Sequence, residues 1–127
     1  MPSNVEIKAR LQDPAGVEAS VRELADHGPE LIVQKDVFFE CDRGRLKLRT
    51  IGDGRSELIF YRRLDAEGPT ESEFMKTPID NPEALAETLR SALGETGVVR
   101  KRRTLYLVGQ TRVHLDEVEG LGHYLEL

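Results

Sequence analysis

The segment N-V-E-I-K-A-R-L, Asn4 to Leu11, puts Val5, Ile7, Ala9 and Leu11 on one side and Asn4, Glu6, Lys8 and Arg10 on the other. Alternation with a period of two is the mark of a half-buried β-strand. The pattern returns in R-L-K-L-R (Arg45 to Arg49), S-E-L-I-F-Y-R-R, V-V-R-K-R-R-T-L-Y-L-V, T-R-V-H-L-D-E-V and H-Y-L-E-L. A chain built this way is committed to sheet with one apolar and one highly charged face. The charged face either looks outward at water or inward at something it holds.

Punctuation between these runs sets the order of elements. Asp13-Pro14 and Asn81-Pro82 each offer an N-cap followed by proline at the first helical position. Val17, Val21, Leu24 and Ala25 form a helical apolar stripe after the first, and Leu85, Leu89 and Leu93 after the second. His27-Gly28-Pro29 is predicted to end the first helix, and Gly94 to cap the second. Gly52 to Gly54 (G-D-G) and Gly109-Gln110 read as hairpin turns, Asp65 to Thr70 as a loop, and S-E-F-M-K-T as a short strand. The count is seven or eight strands and two helices, with hairpin spacing that favours antiparallel pairing.

Composition narrows the function classes. At 127 residues the chain can bury a core of its own as one domain. Its formal net charge of −5 gives no bulk basic field for nucleic acid or an anionic membrane. Cys41 is the lone cysteine, so no internal disulfide or cysteine metal motif is available. The N-terminus enters a charged strand without a signal peptide, and no apolar run reaches the roughly 18 residues a membrane helix needs. These features predict a cytoplasmic protein.

On any single strand, a solvated outer face explains the charges most simply. Two features of the whole set argue otherwise. Basic residues cluster without acids on two strands, at Arg45, Lys47 and Arg49 and at Lys101 and Arg103. Like charges opposite one another on a sheet are unfavourable without a counter-ion. Carboxylates gather instead at Glu6, Asp116, Glu119 and Glu126. Cations beside carboxylates suit a polyphosphate travelling with Mg²⁺ or Mn²⁺. Charges of both signs held inside require a sheet closed around a wet cavity. His114 shares the phase of Arg112 and Asp116 and is as readily structural as a phosphate contact. Phe38, Phe39, Phe60 and Tyr106 read as core. Tyr61 and Tyr124 fall on the charged phase, whereas Arg100 and Arg102 fall on the other.

N-V-E-I-K-A-R-L resembles the E-x-E-x-K signature of the CYTH superfamily, the triphosphate tunnel metalloenzymes. R-L-K-L-R, L-I-F-Y-R-R, V-V-R-K-R-R-T-L-Y-L and R-V-H-L-D-E-V-E-G-L-G-H-Y-L-E-L resemble its later motifs in order and spacing. The last motif is the most specific, and the resemblance runs from Asn4 to Leu127. It implies an α+β fold: an antiparallel eight-stranded barrel forming a tunnel, with flanking helices and charged side chains pointing in. By motif, Glu6, Asp116 and Glu126 resemble metal-binding carboxylates. Lys8, Arg45, Lys47, Arg49, Arg63, Lys76, Lys101, Arg103 and Arg112 resemble triphosphate-binding cations, with Lys8 and Glu6 carrying the chemistry. Glu57 shares the tunnel phase.

Two departures stand out. Asn4 replaces the first motif Glu, which removes a charge and lowers the expected metal affinity. The sequence stops at Leu127, one residue before the second Glu of the family's L-E-L-E. The helix and last strand that usually follow are also missing, so residues 1–127 are expected to be a single CYTH-like domain cut short at its C-terminus. An incomplete barrel would expose an edge able to pair with a second copy.

The function implied is metal-dependent chemistry on an organic triphosphate. First comes a class IV adenylyl cyclase, turning ATP into cyclic AMP and pyrophosphate. The alternatives are a triphosphatase acting on thiamine triphosphate or tripolyphosphate, and a non-catalytic barrel that binds nucleotide or polyphosphate. An RNA-binding module is disfavoured by the acidic balance and the lack of aromatic stacking motifs.

Overall fold

The structure, a computed structural model, describes residues 3–63 and 70–127. The strands are β1 (Ser3–Glu6), β2 (Lys8–Arg10), β3 (His27–Phe39), β4 (Arg45–Ile51), β5 (Ser56–Arg63), β6 (Thr70–Pro78), β7 (Glu95–Val108), β8 (Thr111–Val118) and β9 (Gly122–Glu126). Helix α1 spans Pro14–Leu24 and α2 spans Pro82–Leu93. The segment predicted as a loop lies, apart from Thr70, outside the described residues, as does the side chain of Asn4. Among the described residues no helix is long and apolar enough to cross a membrane.

Both helices begin as their caps dictate. The Asp13 carboxylate accepts from the Gly16 N–H at 3.1 Å, and the Asn81 carbonyl oxygen accepts from the Ala84 N–H at 3.2 Å. Gly94 closes α2 at φ 86°, a conformation that glycine adopts without strain. Helix α1 stops earlier than its Gly-Pro signal predicts. Ala25 is already extended, and the Asp26 N–H is captured by the Leu107 carbonyl at 2.8 Å. His27, Gly28 and Pro29 therefore open β3 instead of closing the helix. The strand predicted from S-E-F-M-K-T is longer, filling β6 from Thr70 to Pro78.

All pairings are antiparallel, in the order β1-β6-β5-β4-β3-β7-β8-β9-β2. The two ends of that order are consecutive pieces of one segment, interrupted at Ile7. Its first half pairs with β6 and its second with β9. Ile7 itself exchanges hydrogen bonds with Leu127 at 3.2 and 2.8 Å. The ring is thus joined through the chain at Ile7 and not by an unbroken ladder. Counted as one interrupted strand, the N-terminal segment makes eight.

Register carries one face all the way round. Residues directly opposite in a ladder share a face. Lys8 faces Glu126, which faces His114; Asp116 faces Arg103; Lys101 faces Gln34; Asp36 faces Arg49; Lys47 faces Ile59; Ile59 faces Lys76; Arg63 faces Ser72; Ser72 faces Asn4. Stepping by two along each strand links these pairs and returns to the phase of Asn4, Glu6, Lys8 and Arg10. The opposite face carries the apolar core. Val37, Phe39 and Leu48 are buried beneath Leu85, Ala86 and Leu89 of α2. On the other side Tyr106, 1% exposed, donates from its hydroxyl to Glu18 of α1 at 2.7 Å. With the helices outside, the charged phase faces the lumen.

Candidate functional site

The lumen is built around two buried aspartates. Asp36 takes the Arg49 guanidinium side-on, with Nε donating to Oδ1 at 2.9 Å and Nη2 to Oδ2 at 3.0 Å. The Lys47 ammonium lies 3.2 Å from the same carboxylate. Asp116 holds Arg103 in the same way at 2.8 and 2.9 Å, with Lys101 at 3.7 Å. Arg103 Nη2 also donates to Glu126 at 3.3 Å. The side chains of Lys47 and Arg49 are 13% exposed and those of Lys101 and Arg103 are 9% exposed. Charges this sheltered persist only when paired.

The remaining predicted cations share the face but keep more contact with water. Arg63 on β5 pairs with Glu6 on β1 at 3.2 Å, reaching across β6, which lies between those strands. Lys8 sits 5.4 Å above the Tyr124 ring, and Lys76 lies 5.4 Å from the Phe74 ring. Arg45 and Arg112 complete the set. Among the described residues, Lys8, Arg45, Lys76 and Arg112 have no carboxylate within ion-pair distance. Glu57 faces the lumen opposite Arg49. A cavity of ≈ 390 Å³ opens at one mouth, lined by Phe38, Cys41, Arg45, Thr96 and Val99 among others. A larger one, ≈ 530 Å³, is lined mainly by outward-facing side chains, including Val33, Lys35, Arg100, Arg102 and Glu117, together with Gln34 and Lys101 of the lumen face.

Electrostatics follow from this packing. Burial pushes the Asp36 carboxyl up, but the Arg49 hydrogen bonds and the Lys47 charge outweigh it and hold it below the usual range. Asp116 is likewise raised by burial and lowered further by Arg103. Burial draws Lys47 down to about 8, with Arg49 adding to the fall and Asp36 resisting it. Burial and Arg103 take His114 to about 4, so its imidazole is neutral at pH 7. His114 Nδ1 is buried without a hydrogen-bond partner.

Sequence reasoning missed three lumen residues. Asp36, 2% exposed, holds two predicted cations yet was not singled out. Gln34 lies beside it, with its side-chain amide 3.2 Å from the Arg49 guanidinium. Phe38, read as core, faces Lys47 across the strand pair with the ammonium 5.6 Å from its ring. The signal was present, since Gln34, Asp36 and Phe38 alternate with Lys35 and Val37.

The three predicted metal carboxylates differ in readiness. Both Asp116 oxygens are committed to Arg103. Glu126 contributes one long bond to Arg103 and faces Lys8 across the strand pair. Glu6 ends β1 just before the interruption at Ile7 and is paired with Arg63. Among the described residues no three His, Cys, Asp or Glu side chains converge on one point. Mg²⁺ does not need such a cage, because it is commonly held by one or two carboxylates with water and substrate phosphates. The hard oxygens of Glu126, Glu6 and Asp116 fit that mode.

The CYTH domain family model matches residues 3–127. The chain belongs to the CYTH family. That membership carries the coarse assignment, an enzyme family acting on triphosphates. No curated protein matches the sequence. Among solved structures, a Pyrococcus horikoshii OT3 protein is 26% identical with a TM-score of 0.81, covering 96% of this chain and 75% of its own. A Hippeastrum protein, described as a candidate adenylyl cyclase with a dominant triphosphatase activity, is 21% identical (TM-score 0.72, coverage 96% and 77%). A candidate adenylate cyclase from Vibrio parahaemolyticus is 20% identical (TM-score 0.70, coverage 98% and 73%). At these identities the last two share the CYTH fold with this chain.

Proposed function

We propose that this CYTH protein binds an organic triphosphate in the lumen and, with Mg²⁺ or Mn²⁺, converts ATP to cyclic AMP and pyrophosphate. One observation carries the reading: cations on six strands share a single inward phase, and among the described residues Lys8, Arg45, Lys76 and Arg112 have no carboxylate within ion-pair distance. The mouth beside Phe38 and Arg45 mixes apolar with polar lining, as a pocket for an organic head group does, and a bare polyphosphate has no use for its apolar part.

Lys8, Arg45, Lys76 and Arg112 meet phosphate oxygens directly. Arg49 and Arg103 spend Nε and Nη2 on their aspartates, and Nη1 takes no part in those pairs. Held this way, each fork is fixed before substrate arrives, and little reorganisation opposes the charge that develops on the leaving group. In cyclisation the ribose 3′-oxygen bonds to the α-phosphorus, the bond from that phosphorus to the bridging oxygen breaks, and pyrophosphate leaves. Glu6 is assigned to accept the hydroxyl proton, and Lys8 to offset charge on the leaving phosphates. His114, neutral and a weak base, serves as a neutral contact. Glu126, Glu6 and Asp116 would hold the divalent ion, which when bound adds Lewis-acid charge neutralisation.

Hydrolysis of thiamine triphosphate or tripolyphosphate is the second reading. It is favoured by the dominant triphosphatase activity named for the Hippeastrum structure. Purified protein with Mg²⁺ or Mn²⁺ is incubated separately with ATP, thiamine triphosphate and tripolyphosphate, and the products are resolved by anion exchange beside a Glu6→Ala variant. Cyclic AMP that disappears in the variant supports the cyclase. Orthophosphate that disappears in the variant moves the protein to the triphosphatases. Binding without turnover leaves a non-catalytic barrel.

A further inference from the structure

The surroundings of the two buried aspartates repeat. Asp36 lies directly opposite Arg49, and Lys47 is two residues earlier on the same strand. Asp116 lies directly opposite Arg103, and Lys101 is two residues earlier on that strand. A K-x-R pair on β4 and another on β7 are each bridged by an aspartate from the neighbouring strand. Asp36 has no place among the carboxylates that fit a metal. Among phosphate-binding cations, a carboxylate also lowers the affinity for an anion, so its presence needs a reason.

The reason lies in what Lys47 would do alone. An arginine keeps its proton under any condition, but a buried lysine beside other cations can shed its own. The groups facing Lys47 are Asp36 and Phe38 on β3, Arg45 and Arg49 on β4, Glu57 and Tyr61 on β5, Lys76 on β6 and Lys101 on β7. Four of these are cations. Asp36 is the carboxylate in contact with the ammonium, since Glu57 lies opposite Arg49.

We propose that Asp36 is a positioning residue of the tunnel: by bridging Lys47 and Arg49 it keeps Lys47 an ammonium and aims both cations at the phosphates. The inference rests on the reading that a triphosphate occupies the lumen. Asp36 opposes the burial that draws Lys47 down to about 8, so without its charge the lysine loses its proton at lower pH.

The test is calorimetric titration with inorganic tripolyphosphate between pH 6.5 and 9.5, on wild type, Asp36→Asn, Asp36→Glu and Lys47→Arg. Ionisation of the ligand is common to all four and cancels in the comparison. In wild type the affinity falls as Lys47 deprotonates. In Asp36→Asn the fall moves down by one pH unit or more. Measured against each protein's own affinity at pH 6.5, the variant then binds about tenfold more weakly than wild type at pH 8.5. At pH 6.5 it binds no more weakly, because the lumen has lost a negative charge. Asp36→Glu returns toward wild type, and Lys47→Arg abolishes the fall. A purely structural role would weaken binding by one factor at every pH. An unmoved midpoint in Asp36→Asn overturns the proposal. Persistence of the fall in Lys47→Arg also overturns it, and that variant retains Asp36, so it decides the matter should Asp36→Asn fail to fold. If wild type binds no tripolyphosphate at any pH, the assignment of the lumen to triphosphates is what fails.

Discussion

Arg49→Met is the substitution whose cost the structure best constrains. It removes a guanidinium that makes two hydrogen bonds, at 2.9 and 3.0 Å, to a carboxylate that is 2% exposed. Methionine keeps much of the volume, so the loss is electrostatic. Hydrogen bonds to a charged group contribute about 1.5–3 kcal/mol each, and unpairing a buried charge costs about 3–5 kcal/mol. Two escapes limit the damage. Lys47 remains 3.2 Å from Asp36. Asp36 can also take up a proton, which from its ordinary value of 3.8 costs about 4 kcal/mol at pH 7 and about 2 kcal/mol at pH 5. The expected loss is therefore about 3 kcal/mol at pH 7, against a total stability of about 5–15 kcal/mol. It should be smaller at pH 5: a carboxyl whose folded pKa has risen binds more protons folded than unfolded, so stability falls as pH rises. Urea denaturation at both pH values measures it, with Arg49→Met/Asp36→Leu as the second leg of a cycle. The double variant should recover at least half the loss, since Lys47 left alone can release its proton. A single variant costing under about 1 kcal/mol, or a double variant no more stable than the single, would refute the reasoning.

Three further outcomes are expected. Lys47 has a folded pKa of about 8 against 10.5 in the free side chain, so the unfolded state binds more protons between those values and this group makes stability rise with pH there, by up to about 3 kcal/mol; denaturation of Lys47→Met between pH 7 and 10 should lack that rise. Tyr106→Phe keeps the ring and removes the hydroxyl's bond to Glu18, which retains Arg22, and should lower stability by about 1 kcal/mol in the same assay, whereas Phe39→Ala, which empties the core under α2, should cost about 3–5 kcal/mol. Lys8→Ala and Arg112→Ala remove cations with no carboxylate partner among the described residues, and each should weaken tripolyphosphate binding about tenfold in calorimetry while leaving the denaturation midpoint within error.

The phase of the lumen was legible because strand periodicity is rigid. Once Val5, Ile7 and Ala9 were apolar, Glu6 and Lys8 had to share the other face, and the same logic reached Arg45, Lys47 and Arg49 and then Arg112 and Asp116. It was blurred where both faces are mixed. In V-Q-K-D-V-F-F the outward Lys35 mimics a lumen charge, and adjacent Phe38 and Phe39 erase the alternation, so Asp36 stayed hidden. The interruption at Ile7 had no local signal, because it arises from one segment pairing with β6 on one side and β9 on the other.

Pairing was the other part that sequence withheld, and it changes what a count of cations means. Nine were assigned to phosphate from their motifs. Five of them already hold a carboxylate: Lys47, Arg49, Lys101, Arg103 and Arg63. Those partners lie 13 residues away for Arg49 and Arg103 and 57 residues away for Arg63, distances over which the order and register of the strands decide who meets whom. The four with no carboxylate partner among the described residues are exposed, so long-range attraction of an anion falls to them and weakens with salt. The buried pairs are shielded from salt and fixed in direction. Raising ionic strength should therefore slow capture of a triphosphate more than it loosens one already seated.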